Sequence, residues 1–394
     1  MKCIERAVAD KLKEMTTIFP FVFLAGPRKS GKSTLLKNLL LKNFEYINLA
    51  EIQAQNYSLT DPRGFVNVLR DKVIIDDAHI MPSIIPHIEA KINEKRGAAA
   101  YILSGCLDSK MSKNISQFLS GRAVKITLLP FSSSELAKSG RLPKTANEWM
   151  LKGNYPELFS SAIDQQTFFH RYTSALVERD IKSKLKKHGF NGFKHFLSII
   201  AANSGNPLNL SKLGEEASID ARTVNSWIST LEEQFILFRL TPYHSYRGKR
   251  YTKTPKLYFY DTGLLCFLLG ITSAEELNFH PLRSPVFETA VISETAKKYF
   301  NAGYKPRMNY WRDLDNNEKE IDLIEESSQK LELTEIKLSQ TSNEDYAKNL
   351  LEFKPSATGT YSREKTITKQ VIYDGNGGFF FDKIRYINWK SLSE

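Results

Sequence analysis

Phe21-Val-Phe-Leu-Ala-Gly26-Pro27-Arg28-Lys29-Ser30-Gly31-Lys32-Ser33-Thr34 decides the fold of this 394-residue chain. Five apolar residues, enough for a buried strand, run directly into Gly-x-x-x-x-Gly-Lys-Ser, and the helical pattern Leu35-Leu-Lys-Asn-Leu-Leu-Leu41 follows. Glycines at the two ends of such a loop let successive backbone N–H groups curl around a polyphosphate, and the opening helix adds its positive end. Residues Gly26 to Thr34 are therefore the expected nucleotide cradle, with Lys32 reaching the β- and γ-phosphates and the Ser33 hydroxyl on Mg²⁺.

Working outward, short apolar strands alternate with helical patterns, the signature of a parallel sheet. The expected strands are Phe21–Ala25, Glu45–Leu49, Lys72–Asp76, Ala99–Ser104 and Ala123–Leu128, with Asp61-Pro62 opening a helix between the second and third. Val73-Ile-Ile-Asp76-Asp77 has the form of a Walker B element: Asp76 would hold Mg²⁺ and Asp77 would polarise an attacking water. Ser104 ends the fourth strand, where a polar sensor of the γ-phosphate would stand. Arg122, just before the fifth, suits either an arginine finger acting in trans or a surface salt bridge.

The middle of the chain has helix-turn-helix spacing. A helix over Phe193–Ala202 is followed by a short one, Asn209–Ala217. Asp220 then caps a third, whose apolar residues Val224, Ile228, Leu231 and Phe235 recur at helical intervals. Strands at Phe235–Leu240 and Lys256–Tyr260 flank a basic, aromatic segment that has the character of a wing. In a DNA-binding reading, Arg222, Thr223, Asn225 and Ser226 face the major groove, while Arg247, Lys249, Arg250 and Lys253 grip phosphates beside Tyr246 and Tyr251. A protein-interaction or oligomerisation module with a solvated basic loop is the alternative.

The last third holds Glu288 on a helix opened by Ser284-Pro285, then Glu320-Ile-Asp322, then Glu335-Ile-Lys337. Strand alternation puts Glu335 and Lys337 on one face, with Asp322 converging from the neighbouring strand. An acidic residue, a spacer and Glu-x-Lys resemble the PD-(D/E)XK nuclease core. Glu288, Asp322 and Glu335 would then hold Mg²⁺, and Lys337 would orient or activate water against a phosphodiester. Tyr310-Trp311-Arg312 is expected to be an aromatic core strand, and Gly375-Asn-Gly-Gly378 a hairpin turn between closing strands.

The ordered series Gly-Pro-Arg-x-x-Gly-Lys-Ser, Ile-Ile-Asp76-Asp77, Ile-Leu-Ser104-Gly, Ser-Gly-Arg122, Leu128-Leu-Pro-Phe-Ser-x-x-Glu-Leu136, Gly153-Asn-Tyr-Pro-Glu157 and Glu178-Arg-Asp180 resembles one group of prokaryotic AAA+ ATPases. The resemblance implies an α/β P-loop parallel-sheet core, then a winged-helix domain, then an α/β restriction-endonuclease-like domain of uncertain function. It departs in Walker B, where the group usually has Asp-Glu followed by Gln, and this chain has Asp76-Asp77 followed by His79. Asp is one methylene shorter than Glu, so slow hydrolysis, or ATP acting mainly as a switch, is compatible with the motif.

These readings divide the chain into 1–165 (ATPase), 166–275 (helical and winged-helix) and 276–394 (nuclease-like). A formal charge of +11 favours an anionic partner, most simply nucleic acid. Three dispersed cysteines suit a reducing cytoplasm, and neither a signal-peptide core nor a membrane-spanning stretch is expected. The expected function is a cytoplasmic AAA+ ATPase using ATP and Mg²⁺, a homo-oligomer for which a hexameric ring is one form, that remodels or translocates on duplex or branched DNA. An ATP-gated DNA-binding regulator with an inactive C-terminal domain and a protein-remodelling ATPase are the rivals.

Overall fold

The computed structural model describes residues 3–94, 100–106, 121–181, 185, 189–243, 254–313, 319–353 and 365–394. The expected basic segment, with Arg247, Lys249, Arg250, Lys253, Tyr246 and Tyr251, lies outside the described residues.

Five strands, β1 (Phe21–Ala25), β2 (Glu45–Asn48), β3 (Lys72–Asp76), β4 (Ala100–Gly105) and β5 (Ala123–Thr127), form one parallel sheet in the order β2-β3-β4-β1-β5. Each lies within a residue or so of its sequence expectation, because short apolar runs bounded by turn residues leave little freedom in a sheet covered on both faces. Every residue of β1 is buried. Parallel register brings all five C-terminal ends to one edge, with Ala25 level with Gly105 and Thr127, and Asn48 level with Asp76. Asp61 caps the helix Pro62–Val68 through a 2.8 Å bond from the Gly64 N–H, with Pro62 in its first turn.

In the middle, helices Gly189–Ala202, Leu210–Ala217 and Ala221–Glu233 lead into an antiparallel pair, β6 (Leu237–Leu240) and β7 (Lys256–Phe259). Side chains of Asn209 and Asp220 cap the second and third helices. Trp227 is buried edge-on against Phe193 and Phe196, at 5.0 and 5.1 Å between ring centroids. A single antiparallel bridge from Pro207 to Lys256 adds a third rung beside β7. The third helix closes with the Ile236 N–H on the Leu231 carbonyl, and Phe235 takes φ +56° where glycine is the usual residue. That backbone costs an ordinary side chain about 1–2 kcal/mol.

The C-terminal third is a long helix, Arg283–Asn301, on a six-stranded sheet of β8 (Met308–Arg312), β9 (Glu320–Glu326), β10 (Lys330–Lys337), β11 (Thr366–Tyr373), β12 (Phe379–Phe381) and β13 (Ile384–Asn388). β8, β9 and β10 are antiparallel, and β10, β11 and β13 parallel. Tyr310 is fully buried, as expected of a core strand. The expected hairpin at Gly375–Gly378 is corrected. β13 lies between β11 and β12, so that turn joins strands that are not neighbours. Local turn chemistry cannot reveal a strand inserted later in the chain.

The three parts share one apolar cluster. Trp149 stacks on Trp389 at 4.5 Å, and a buried ion pair, Glu294–Lys297 at 2.7 Å, reaches across to the ATPase part. There the Ser133 N–H donates to Glu294 at 2.6 Å and Lys297 donates to the Phe131 carbonyl at 3.1 Å.

Candidate functional site

The parallel edge of the first sheet gathers the P-loop and the ends of β3 and β4. The helix Lys32–Leu40 begins at Gly31, whose φ of +94° is open to glycine at no cost. A Cβ on Gly26 would stand 2.1 Å from the Leu128 carbonyl oxygen, so the loop's first position admits no side chain. Lys32 is buried and donates to the Gly26 and Pro27 carbonyls at 2.9 and 2.7 Å. Burial lowers the pKa of its ammonium, against the opposing pull of acidic neighbours that include Asp76 and Asp77. Ser30 Oγ is buried in this cradle with no hydrogen-bond partner.

Asp76 is the hub. Tyr46 donates to its Oδ2 at 2.6 Å, Ser104 donates to Oδ1, and Ser33 is a third donor. Burial pushes this carboxyl up, but the bonds from Ser104, Ser33 and Tyr46 outweigh it and hold it below the ordinary range. Lys32, Ser33, Asp76 and Ser104 are thus brought together as expected. The donor set fits a magnesium nucleotide, with hard oxygens at Ser33 and Asp76, an ammonium beside them, and an unfilled hydroxyl in the loop.

Asp77 follows in the left-handed region at φ +53°, its Oδ1 3.8 Å from His79 Nδ1. The other ring nitrogen of His79 lies 3.4 Å from the Arg28 guanidinium, so the imidazole stands between the P-loop and the second Walker B carboxylate. Arg122 sits at the opposite edge of the sheet, beside the start of β5, and its guanidinium is bonded to Asn93. Five residues of strand, about 16 Å, separate it from its own phosphate loop.

Three contributors escape a reading of the sequence. Tyr46 arrives by sheet register. Arg6 places its guanidinium on the Ser30 carbonyl (2.7 Å), the Leu129 carbonyl (2.6 Å) and Glu135 (2.9 Å), tying the N-terminal segment to the P-loop. Gly153-Asn-Tyr-Pro-Glu157, noted only as part of a resemblance, lies against the loop: Glu157 pairs with Lys29 at 3.0 Å. Pro156 and Phe159, with Ile4, Leu35, Leu39 and Phe131, line a cavity of about 460 Å³ beside Gly31 and Thr34.

Glu288, Asp322, Glu335 and Lys337 also converge, but as an ion-pair cluster. Lys256, buried on β7, lies 3.6 Å from Glu288 and is bonded to Glu320. Tyr258 donates to Glu288 at 2.5 Å, the Ile336 N–H to Asp322 at 2.8 Å, and Lys337 to Glu335 at 2.7 Å. Burial pushes Glu288 up to about 7, against the pull of Lys256, and raises Glu335 well above the carboxylate range. The sequence expectation gives Glu288, Asp322 and Glu335 to Mg²⁺; the structure places Lys256 beside Glu288 and pairs Lys337 with Glu335. Among the described residues no group of three or more His, Cys, Asp or Glu is arranged for a metal ion, and the Lys256 ammonium, from the middle of the chain, lies beside Glu288 and Glu320.

On the third helix of the middle part, Arg222, Asn225 and Ser226 are exposed. The Thr223 hydroxyl is held by Asp220 at 2.6 Å, and Asn225 Oδ1 accepts from Arg239 at 3.0 Å. Over residues 209–235, Lys212 and Arg222 face Glu215, Glu216, Asp220, Glu232 and Glu233, so this helical pair is itself acidic.

Among the described residues, no helix is long and apolar enough to cross a membrane. Residues 143–275 match a family described as a domain of unknown function (DUF8612), and residues 283–392 match another, DUF4143. The chain is 25% identical to an uncharacterized protein of Mycobacterium tuberculosis over 85% of this chain and 74% of that one. It is 23% identical to an uncharacterized protein of Haemophilus influenzae over 89% and 92%. Among solved structures it is similar to the Walker-type ATPase PABY2304 of Pyrococcus abyssi, with a TM-score of 0.42 at 14% identity, covering 66% of this chain and 94% of that one. It is also similar to the Thermotoga maritima RuvB Holliday junction branch migration motor, with a TM-score of 0.30 at 18% identity, covering 59% and 88%. Residues 19–137 match the AAA domain family, and with the P-loop, Asp76 and Ser104 assembled at one sheet edge, this part of the chain is an AAA-type ATPase domain.

Proposed function

We propose that the chain is an ATP-gated DNA-binding protein: nucleotide at the P-loop sets the affinity of the middle domain for duplex DNA, and the C-terminal domain serves as a scaffold. The observation that carries the reading is the convergence of Ser33, Ser104 and Tyr46 on Asp76 beside the buried Lys32. In this reading the loop backbone and Lys32 hold the triphosphate, Ser33 and Asp76 hold Mg²⁺, and Asp77 orients the attacking water. Bound Mg²⁺ would supply charge neutralisation between the phosphates. The apolar cavity lined by Ile4, Leu39 and Pro156 has the character of a base pocket.

Support for DNA comes from the helix, bridge, two-helix and two-strand order of the middle part, which is that of a winged helix, and from the cations of segment 244–253. Because the helical pair is acidic, affinity would rest on that segment and be steeply salt-dependent. The acid cluster with Lys256 beside Glu288 and Glu320 supports a non-cleaving C-terminal domain over a nuclease. Assembly into a homo-oligomer, with Arg122 reaching a neighbour's nucleotide, belongs to the same proposal.

The test is fluorescence anisotropy on a labelled duplex, with and without a non-hydrolysable ATP analogue. Affinity should change about tenfold or more with analogue in the wild-type chain and not in Lys32→Ala. Equal affinities in both states would overturn the gate. Mg²⁺-dependent nicking by the wild-type chain, lost in Asp322→Asn, would overturn the scaffold role.

A further inference from the structure

A second cleft, of about 420 Å³, opens where all three parts of the chain meet, away from the phosphate loop. Its walls are aromatic. Phe238 and Tyr260 lie 4.5 Å apart at 31°, Phe235 is set beside Tyr260 by its left-handed backbone, and Tyr304 stands 65% exposed at the rim. Its cations are Lys125, from edge strand β5, and Lys305, from the turn after the helix Arg283–Asn301. Arg239 also lines the cleft but is engaged by Glu232 at 2.6 Å. Among the described residues neither Lys125 nor Lys305 makes an ion pair with a carboxylate.

Lys125 Nζ lies 5.6 Å from the Phe235 ring centroid. The residue is exposed, yet partial desolvation of its ammonium, and then the charge of Lys305, lower its pKa. Two ammonium groups facing one cleft repel each other, and an anion between them relieves the repulsion. A flat ring is what offset aromatic walls accept, through stacking that tolerates any base. An apolar ligand would leave the lysines uncompensated, and inorganic phosphate would leave the rings uncovered. The two requirements meet in a base that carries phosphate.

We infer that this cleft is a second nucleotide site, which takes a nucleobase against Phe238 and Tyr260 and its phosphate between Lys125 and Lys305. The ligand is either a free nucleotide or one unpaired nucleotide of a strand, since both present the same chemistry. The site stands apart from the phosphate loop and does not require that the middle domain bind duplex DNA.

The experiment is calorimetric titration of the full chain in the Lys32→Ala background, with adenosine 5′-monophosphate and with pentathymidylate as separate probes. The wild-type chain saturated with ADP is the second background, should Lys32→Ala fold poorly. At least one probe should bind with one-to-one stoichiometry. Lys125→Glu with Lys305→Glu should weaken it by about tenfold or more, and Phe238→Ala, which removes one stacking wall, by about tenfold. Arginine at both lysine positions should keep the affinity within about threefold, since the charge is retained. Binding of the monophosphate alone identifies a free nucleotide, and binding of the oligomer alone identifies a strand. No binding of either probe at millimolar concentration in both backgrounds, or binding indifferent to charge reversal in a chain with wild-type circular dichroism, would overturn the inference.

Discussion

At the scale of single residues, the nucleotide site is built around one carboxylate. Asp76 accepts from Tyr46, Ser104 and Ser33, and its charge helps hold the buried Lys32 ammonium. Asp77 is the weaker part, with a side chain one methylene shorter than glutamate and a backbone already in the left-handed region. Lengthening that arm should speed hydrolysis. Asp77→Glu is expected to raise kcat by as much as about 100-fold in a steady-state phosphate-release assay, since a misplacement of about 1 Å costs that much. An unchanged kcat would remove Asp77 from the water-orienting role. Lys32→Ala should abolish turnover and weaken nucleotide binding, checked by filter binding. Lys32 and Ser33 were legible in the sequence because strand, loop and helix follow each other without a gap, and Asp76 because a short apolar strand ends in it. Tyr46 was not. It meets Asp76 only because β2 pairs with β3, and register between strands is not written in either one.

Elements show how the P-loop is held. Arg6 spans the Ser30 carbonyl, the Leu129 carbonyl and Glu135, and Glu135 also accepts from the Ala7 and Ser132 N–H groups at 2.8 and 2.7 Å. Both side chains are almost wholly buried, so removing the guanidinium strands a buried charge. Arg6→Ala should cost about 3 kcal/mol in urea unfolding, at the lower end for a buried pair because Glu135 keeps its backbone donors. A loss within about 0.5 kcal/mol would mean the pair is an ordinary surface bridge. The middle helices were legible from their caps, Asn209 and Asp220, and from the spacing of Val224, Ile228 and Leu231. What those helices offer to a partner was not. Side-chain bonds inside the domain take up Thr223 and Asn225, and only tertiary structure brings Arg239 to the latter. The acid cluster teaches the same lesson. Spacing puts Asp322, Glu335 and Lys337 on neighbouring strands, but it does not show that an ammonium beside Glu288 comes from Lys256, 66 residues before Asp322 in the chain.

For the whole molecule, the joints between parts are as buried as the parts. Asp261, at the end of the β6–β7 region, accepts from the Asn154 N–H at 2.7 Å and the Leu264 N–H at 2.9 Å, and so pins the Gly153–Glu157 segment. Burial raises its pKa, against the pull of Lys297 and of those two N–H groups. A carboxyl raised in the folded state binds its proton more tightly there than in the unfolded chain. Its contribution to stability is therefore present at low pH and is lost as pH rises from about 4 through the raised value. The unfolding free energy of the wild-type chain minus that of Asp261→Asn should fall across that window, and a flat difference would refute the assignment. Trp389→Ala should likewise cost about 3–5 kcal/mol, as loss of a buried aromatic does, and reduce the cooperativity of thermal unfolding.

The Trp149–Trp389 stack also gives the molecule an optical signature. Two indoles 4.5 Å apart and 14° from parallel are close enough for their excited states to mix, and a paired band in the far-ultraviolet dichroism is the expected signature. One indole belongs to a helix that follows the ATPase sheet and the other to the turn after β13, so the band's amplitude gauges how firmly those two segments are seated together. Recording it while nucleotide is added would show, without any label, whether occupancy of the phosphate loop loosens or tightens that seat.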